Sequence, residues 1–168
     1  LGLAPGIVVA GGAGDNAASA VGMGAAEAGQ GFLSLGTSGV LFVVTPSYQP
    51  NAASATHAFC HALPQRWHQM SVMLSAASSL QWVTGLLGQP SEAVLAAQAE
   101  ALTLAQRAAA PLFLPYLGGE RTPHNDANVR GSFQGLSFDT DAARLGYSVI
   151  EGVTFGLKDG LAALNAAG

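Results

Sequence analysis

The segment AGGAGDN, residues 10–16, has the residue types and spacing of a ligand-binding turn. Glycines let the backbone approach a ligand closely, and the start of a helix presents free N–H groups and its positive dipole end. Asp15, which begins an Ala-rich stretch, is either a helix N-cap, the commoner use of Asp there, or a carboxylate that orients a nucleophilic hydroxyl. A carboxylate at a helix start stays ionised and is a weak base. Phosphoryl transfer tolerates a weak base, because its loose transition state requires positioning more than strong deprotonation.

A second candidate lies downstream, where the apolar run GFLSL is interrupted by the tight turn Gly36-Thr37-Ser38-Gly39 and resumes as VLFVV. Successive backbone N–H groups in such a turn can form an anion-binding concavity, and the two hydroxyls add donors. Hairpin turns also use Gly and Ser, for conformational reasons alone. From the residues themselves the turn is either a plain hairpin or a site for phosphate.

A set of potential metal ligands lies on a predicted hairpin: His57, Cys60, His61 and His68. Nitrogen and sulfur ligands suit zinc. Alternation along a strand, however, puts His57 and His61 on one face and Cys60 on the other. We therefore expect these side chains to pack and form hydrogen bonds, and we predict no metal site.

The polar loop GGERTPHNDANVRG, residues 118–131, is longer than most connections. Its Glu120, Arg121 and His124 either approach the substrate or brace the cleft, and the sequence leaves these alternatives open. The segment GMGAAE, residues 22–27, resembles part of a dinucleotide fingerprint. Because it lies within a helical pattern and does not follow a strand, it predicts no such site.

Composition excludes several classes of function. The 168 residues are 49% hydrophobic and only 10% charged, which argues against disorder. Six Lys and Arg residues with a net charge of −4 provide no basic stripe for nucleic acid. No apolar run approaches a membrane span, and the single Cys60 fits a reducing cytoplasm. The start at Leu1 without Met, and a helical pattern running to Gly168, suggest a piece of a larger protein.

Apolar periodicity and turn residues predict a mixed α/β organisation. The predicted strands are residues 6–11, 31–36, 40–45, two arms of a hairpin with Pro64 in its turn (THAFCHAL and WHQMSV), 111–117, and the segment SFQGLSF. The predicted helices are one over residues 15–29 that begins at Asp15, then 71–87, 91–107 and 141–167, the last with DTD at its start.

Several long stretches together resemble the FGGY carbohydrate kinases. They are GGAGDNAASAVGMG, LSLGTSGV, FCHALPQRWHQMSVMLSAASSLQW, FLPYLGGERTPH and GSFQGLSFDTDAARLGYSVIEG. The last stretch resembles the second signature of the family and departs from it at Arg144, which we interpret as surface variation. The resemblance implies an incomplete ribonuclease-H-like domain of the actin and hexokinase ATPase type. It assigns residues 1–24 to the end of the sugar-binding domain and its crossing helix, and residues 25–168 to part of the nucleotide-binding domain.

The resemblance also implies roles for individual residues. Asp15 matches the catalytic base that accepts the proton of the sugar hydroxyl, and Asn16 a neighbouring residue of the sugar cleft. Gly36, Thr37 and Ser38 match the turn that holds the nucleotide phosphates. Three residues of predicted helix 71–87 lie where family members approach the nucleotide: Ser78, Ser79 and Gln81.

The implied reaction is phosphoryl transfer from ATP to a sugar, with D-xylulose expected, in a cytoplasmic enzyme. Homodimers are common in the family, and the sequence leaves the oligomeric state open. ATP and Mg²⁺ are the implied cofactors, and the main Mg²⁺ ligands are expected outside these residues. Because the family's first phosphate loop, most of its sugar-binding domain and its adenosine segment are also expected outside them, we expect the chain alone to be inactive. Two alternatives stay open: another sugar or polyol kinase of the same family, and a non-catalytic nucleotide-binding regulator.

Overall fold

The computed structural model describes residues 2–168, and Leu1, the first residue of the expected 1–24 segment, lies outside them. The helices are α1 Asp15–Gly22, α2 Ala77–Leu86, α3 Glu92–Glu100, α4 Leu104–Ala108 and α5 Ala142–Asn165, with a short 3₁₀ turn at Ala52–Ser54. The strands are β1 Gly31–Leu35, β2 Gly39–Thr45, β3 His57–Cys60, β4 Trp67–Met73, β5 Leu112–Leu114 and β6 Ser132–Gln134. None of the helices in residues 2–168 has the length and apolarity needed to cross a membrane.

Strands β1 to β4 form one antiparallel sheet in the order β1-β2-β4-β3, and β5 and β6 form a separate hairpin. Alternation along β2 and β4 sends Phe42, Val44 and Met70 to one face of the sheet. There they form a buried cluster with Ala20 of α1 and Ala25. This packing holds α1 against the sheet.

Helix α5 packs against β4 and β5, and a second buried cluster contains Val83, Leu95, Phe113 and Val149. Glycines allow α5 to approach the strands closely. A Cβ added at Gly160 would lie 2.6 Å from Ser71 Oγ, and one at Gly152 would overlap the backbone oxygen of Phe113.

The structure confirms the hairpin around the Gly36–Ser38 turn, the second hairpin and the long terminal helix. Asp141 is the N-cap of that helix, and its carboxylate accepts the Arg144 N–H at 2.9 Å. These elements depend on turn residues, caps and apolar periodicity, which all act over a few residues.

The predicted strand at residues 6–11 is wrong: this segment has no regular secondary structure in the described chain. Val8 and Val9 are 88% and 91% exposed, so the apolar run has no neighbouring strand against which to bury. The predicted helix over residues 15–29 ends at Gly22, and Gly24, with φ of +78°, follows in a left-handed conformation.

Four other boundaries were also wrong, including that of the predicted strand SFQGLSF, of which only Ser132–Gln134 forms β6. β4 continues to Met73, so the helix predicted from residue 71 begins at Ala77. The helix predicted over residues 91–107 is divided, because Thr103 forms a capping box with Gln106 and starts α4. The strand predicted at residues 111–117 covers only Leu112–Leu114.

Candidate functional site

The Gly36–Ser38 turn joins β1 to β2, and its Thr37 is exposed. Leu35 pairs with Gly39 at the end of the hairpin, and the Gly36 N–H donates to the Ser38 backbone oxygen at 3.0 Å. The turn is therefore compact and projects from the end of the sheet.

The start of α2 holds this turn by its carbonyl groups. The Ala76 N–H donates to Thr37 O at 2.9 Å, and the Ala77 N–H donates to Gly36 O at 3.0 Å. The Ser78 hydroxyl adds a third donor to Thr37 O at 2.8 Å.

Because N–H and C=O point in opposite directions across a trans peptide, this anchoring directs the N–H groups of Thr37 and Ser38 away from α2. Neither N–H has a hydrogen-bond partner within residues 2–168. Two adjacent outward N–H groups beside two hydroxyls form a donor set that fits a phosphate.

Asp15 is the first residue of α1, and Gly14, which has no capping side chain, is the N-cap. The N-cap alternative for Asp15 is therefore wrong. Its carboxylate is exposed, and its Oδ1 accepts the Asn16 N–H at 2.8 Å. The Asn16 side-chain amide lies 3.4 Å from the same oxygen. Asn16 thus engages one oxygen, and Oδ2 has no hydrogen-bond partner within residues 2–168.

Asp15 lines an open cavity of about 500 Å³ between α1 and the β3–β4 edge of the sheet. The other lining residues are Gly14, Asn16, Ala17, Phe59, Cys60, His68 and Met70. The Gly36–Ser38 turn does not line this cavity, so the two predicted groups of site residues occupy separate surfaces of the described chain.

His68 is buried in the wall of this cavity and stacks on Phe42, with ring centroids 4.5 Å apart. Burial, with a smaller contribution from nearby His61, lowers the pKa of His68 from 6.5 to about 4. The imidazole is therefore neutral near pH 7, and its Nδ1 has no partner within residues 2–168.

The three predicted residues of α2 have different environments. Ser78 supports the turn, as described above, whereas Ser79 is fully buried and its hydroxyl donates to Ser75 O at 2.8 Å. Gln81 is exposed. We keep Ser78 and Gln81 as candidates for the nucleotide side and leave Ser79 in the core.

The sequence left the role of the 118–131 loop open, and the structure gives Glu120 a defined environment. Glu120 is 3% exposed, and its Oε1 accepts the Leu74 N–H at 2.9 Å and the Arg121 N–H at 2.7 Å. Burial raises the pKa of Glu120, while these two N–H donors oppose the increase. In a chain with only 10% charged residues, a Glu inside a Gly-rich loop is the one sequence signal that could have indicated this site.

The same loop holds two exposed side-chain pairs. Arg121 contacts His57 Nε2 at 3.1 Å, and His124 Nε2 contacts the Tyr116 hydroxyl at 2.9 Å. Burial, and then the Arg121 charge, lowers the pKa of His57. Within residues 2–168 no three His, Cys, Asp or Glu side chains converge on a point that could hold a metal ion.

Comparison with known proteins places these features in a family. A profile described as the FGGY family of carbohydrate kinases, C-terminal domain, matches residues 31–168. The xylulose kinase of Escherichia coli (strain K12) is 52% identical over 162 residues, which cover 96% of this chain and 33% of that protein. The crystal structure of a xyloylose kinase from Brucella ovis matches with a TM-score of 0.89 and 53% identity, over 95% of this chain and 32% of that one.

A third likeness concerns the fold alone. Plasmodium falciparum glycerol kinase with ADP matches with a TM-score of 0.76 at 18% identity, over 91% of this chain and 31% of that one. These matches confirm the predicted α/β class, the ribonuclease-H-like ATPase fold of actin and hexokinase. The chain spans about a third of the length of the relatives that it matches. The profile match over residues 31–168, together with these relatives, shows that this chain belongs to the FGGY family of carbohydrate kinases.

Proposed function

We propose that this chain works as part of a longer xylulose kinase, which converts D-xylulose and ATP to D-xylulose 5-phosphate and ADP. The observation that carries the proposal is the pair of outward N–H groups at Thr37 and Ser38, held in place by α2. The relatives that match the chain at 52% and 53% identity, a xylulose kinase and a xyloylose kinase, support the choice of sugar.

In this proposal Asp15 accepts the proton of the sugar O5 as that oxygen bonds to the γ-phosphorus. The bond between the γ-phosphorus and the bridging oxygen breaks at the same time, and ADP leaves. A weakly basic carboxylate suffices, because the transition state is loose and proton removal is late. Asn16 orients the carboxylate through its two contacts with Oδ1.

The Gly36–Ser38 turn binds the nucleotide phosphates from the opposite side of the reacting group. Its backbone donors fit a phosphate. We assign the main Mg²⁺ ligands to another part of the kinase. We also assign residues 1–24 to the end of the sugar-binding domain and residues 25–168 to the nucleotide-binding domain.

The decisive experiment compares Asp15→Asn with Asp139→Asn, a matched change at an exposed carboxylate, in the full-length protein that carries this chain. We expect Asp15→Asn to lower kcat for D-xylulose roughly a hundredfold or more, the scale of general base catalysis. ADP binding, measured by calorimetry, should stay unchanged in both variants.

Activity of Asp15→Asn within a few-fold of the parent would refute the assignment of the base. A parent protein that binds ADP but phosphorylates no sugar would favour the regulatory alternative. A parent that prefers another sugar or polyol in a substrate panel would favour a different kinase of the same family. The chain alone should show no turnover with D-xylulose and MgATP.

A further inference from the structure

The 118–131 loop continues the edge of the main sheet where β3 stops. β3 pairs with β4 only as far as His57, which lies opposite Met70. Beyond that point Thr122 is the neighbour of Val72: the Thr122 N–H donates to Val72 O, and the Val72 N–H donates to Thr122 Oγ1, both at 3.1 Å. Glu120 then receives the Leu74 N–H on its carboxylate at 2.9 Å.

The Val72 and Leu74 N–H groups both point to the side of β4 away from β2, since both donate to the 118–131 loop. On that side β3 reaches only as far as the pair His57 and Met70, so no strand offers Leu74 an acceptor there. The Glu120 carboxylate therefore supplies an acceptor that the sheet does not. A buried N–H without an acceptor is costly, which makes this bond important for the position of Leu74.

Both the backbone and the side chain of Glu120 are held by hydrogen bonds. The Glu120 backbone exchanges two hydrogen bonds with Asp126, at 2.8 and 2.9 Å, and Oε1 of the side chain also accepts the Arg121 N–H. The carboxylate is thus a fixed point rather than a mobile surface group.

Leu74 begins the short joint, residues 74–77, which consists of the connection after β4 and Ala77, the first residue of α2. The N–H groups of Ala76 and Ala77, at the end of this joint, hold the carbonyls of Thr37 and Gly36. A displacement at Leu74 would therefore change the orientation of the peptide groups whose N–H atoms face outward at Thr37 and Ser38.

We propose that Glu120 is a positioning residue for the nucleotide phosphates: its carboxylate fixes the 74–77 joint and, through it, the donors of the Gly36–Ser38 turn. This inference rests on the proposed nucleotide site. It predicts weaker binding of ATP and ADP when Glu120 is changed. Sugar binding should change little, because the opposite side of the active site would bind the sugar.

The test uses Glu120→Ala, Glu120→Gln and Thr122→Val in the full-length protein. Gln keeps an oxygen that can accept both N–H groups, whereas Ala removes the acceptor. Thr122→Val is the matched control, because it removes two buried hydrogen bonds from the same loop, to Val72 and Ala55, and leaves Leu74 bonded.

We expect Glu120→Ala to raise KM for ATP and Kd for ADP roughly tenfold, since small misplacements of binding groups have effects of at least this size. KM for D-xylulose should stay within about twofold, and Glu120→Gln should restore most of the nucleotide affinity. Thr122→Val should lower the unfolding temperature without changing KM for ATP.

A merely structural role would predict a different result. If Glu120→Ala and Thr122→Val lower the active fraction alike and leave KM for ATP and Kd for ADP unchanged, the inference is wrong. ADP affinity separates this failure from failure of the proposed reaction. A parent that binds ADP without phosphorylating D-xylulose refutes the xylulose kinase assignment, and a tenfold loss of ADP affinity in Glu120→Ala would then still support the positioning role.

Discussion

Acid should destabilise this fold through one buried imidazole, that of His68. The ring is 4% exposed and lies between Phe42 and Phe59, with centroids 4.5 and 5.9 Å away. Within residues 2–168 no carboxylate forms an ion pair with this ring, and the ring of His61 lies with its centroid 6.2 Å away. Replacing His68 by Phe keeps an aromatic ring in the stack and removes the group that titrates.

The magnitude follows from the pKa of His68, which is 6.5 in an unfolded chain and about 4 in the fold. Because the folded pKa is lowered, the unfolded chain binds a proton first as the pH falls below 6.5. Stability is therefore complete above pH 6.5 and is lost progressively between pH 6.5 and 4. The loss reaches about 2 kcal/mol at pH 5 and about 3 kcal/mol below pH 4, since one pKa unit is equivalent to about 1.4 kcal/mol.

Urea unfolding of the chain at pH 7 and pH 5, followed by tryptophan fluorescence, measures this effect. The parent should lose about 2 kcal/mol more than His68→Phe between the two pH values. His124→Gln, a change at an exposed histidine, is the control and should show the same pH dependence as the parent.

Parallel pH profiles for the parent and His68→Phe would refute this reasoning. They would mean that the folded protein binds a proton at His68 as readily as the unfolded chain does. If the Phe ring proves too large for the site and lowers stability at both pH values, the difference between them still reports the titration, and His68→Leu provides a second measurement.

Three further predictions concern packing, and two of them test contacts with α5. Gly152→Ala should lower the free energy of unfolding by about 1–3 kcal/mol or more, because the added Cβ would overlap the Phe113 backbone oxygen. Gly85→Ala, in α2, meets no atom within 4 Å and should instead be neutral or stabilise by up to about 1 kcal/mol. Leu95→Ala should cost about 2–5 kcal/mol, because Leu95 is fully buried against Gly146. Urea midpoints measure all three, and equal effects at Gly152 and Gly85 would contradict the close approach of α5 to β5.

The elements that the sequence predicted correctly depend on interactions within a few residues. The Gly36–Ser38 turn joins two apolar runs, and a turn of small residues between them predicts a hairpin whatever surrounds it. The long helix α5 combines an Asp141 cap with an apolar face that repeats at helical spacing. The start of a helix at Asp15 was predicted from adjacent residues, because a glycine-rich turn precedes Asp15 and an Ala-rich stretch follows it.

Tertiary contacts decided what local patterns could not. Residues 6–11 have the composition of a strand, but a strand requires a neighbour, and the described chain provides none there. Ser78 and Ser79 are adjacent and chemically identical. Only the packing of α2 gives one hydroxyl to the Thr37 carbonyl and buries the other in the core.

Glu120 shows the same limit most clearly. Its residue type, in a polar loop, left open a substrate contact or a bracing role, and local sequence could not indicate that the N–H of Leu74, distant in the chain, needs its carboxylate as an acceptor. The sequence by itself thus determined the chemical groups and the turns that present them. The tertiary structure decided which of these groups are held in place by hydrogen bonds from other elements. It did so because burial and hydrogen-bond partners come from elements far apart in the chain.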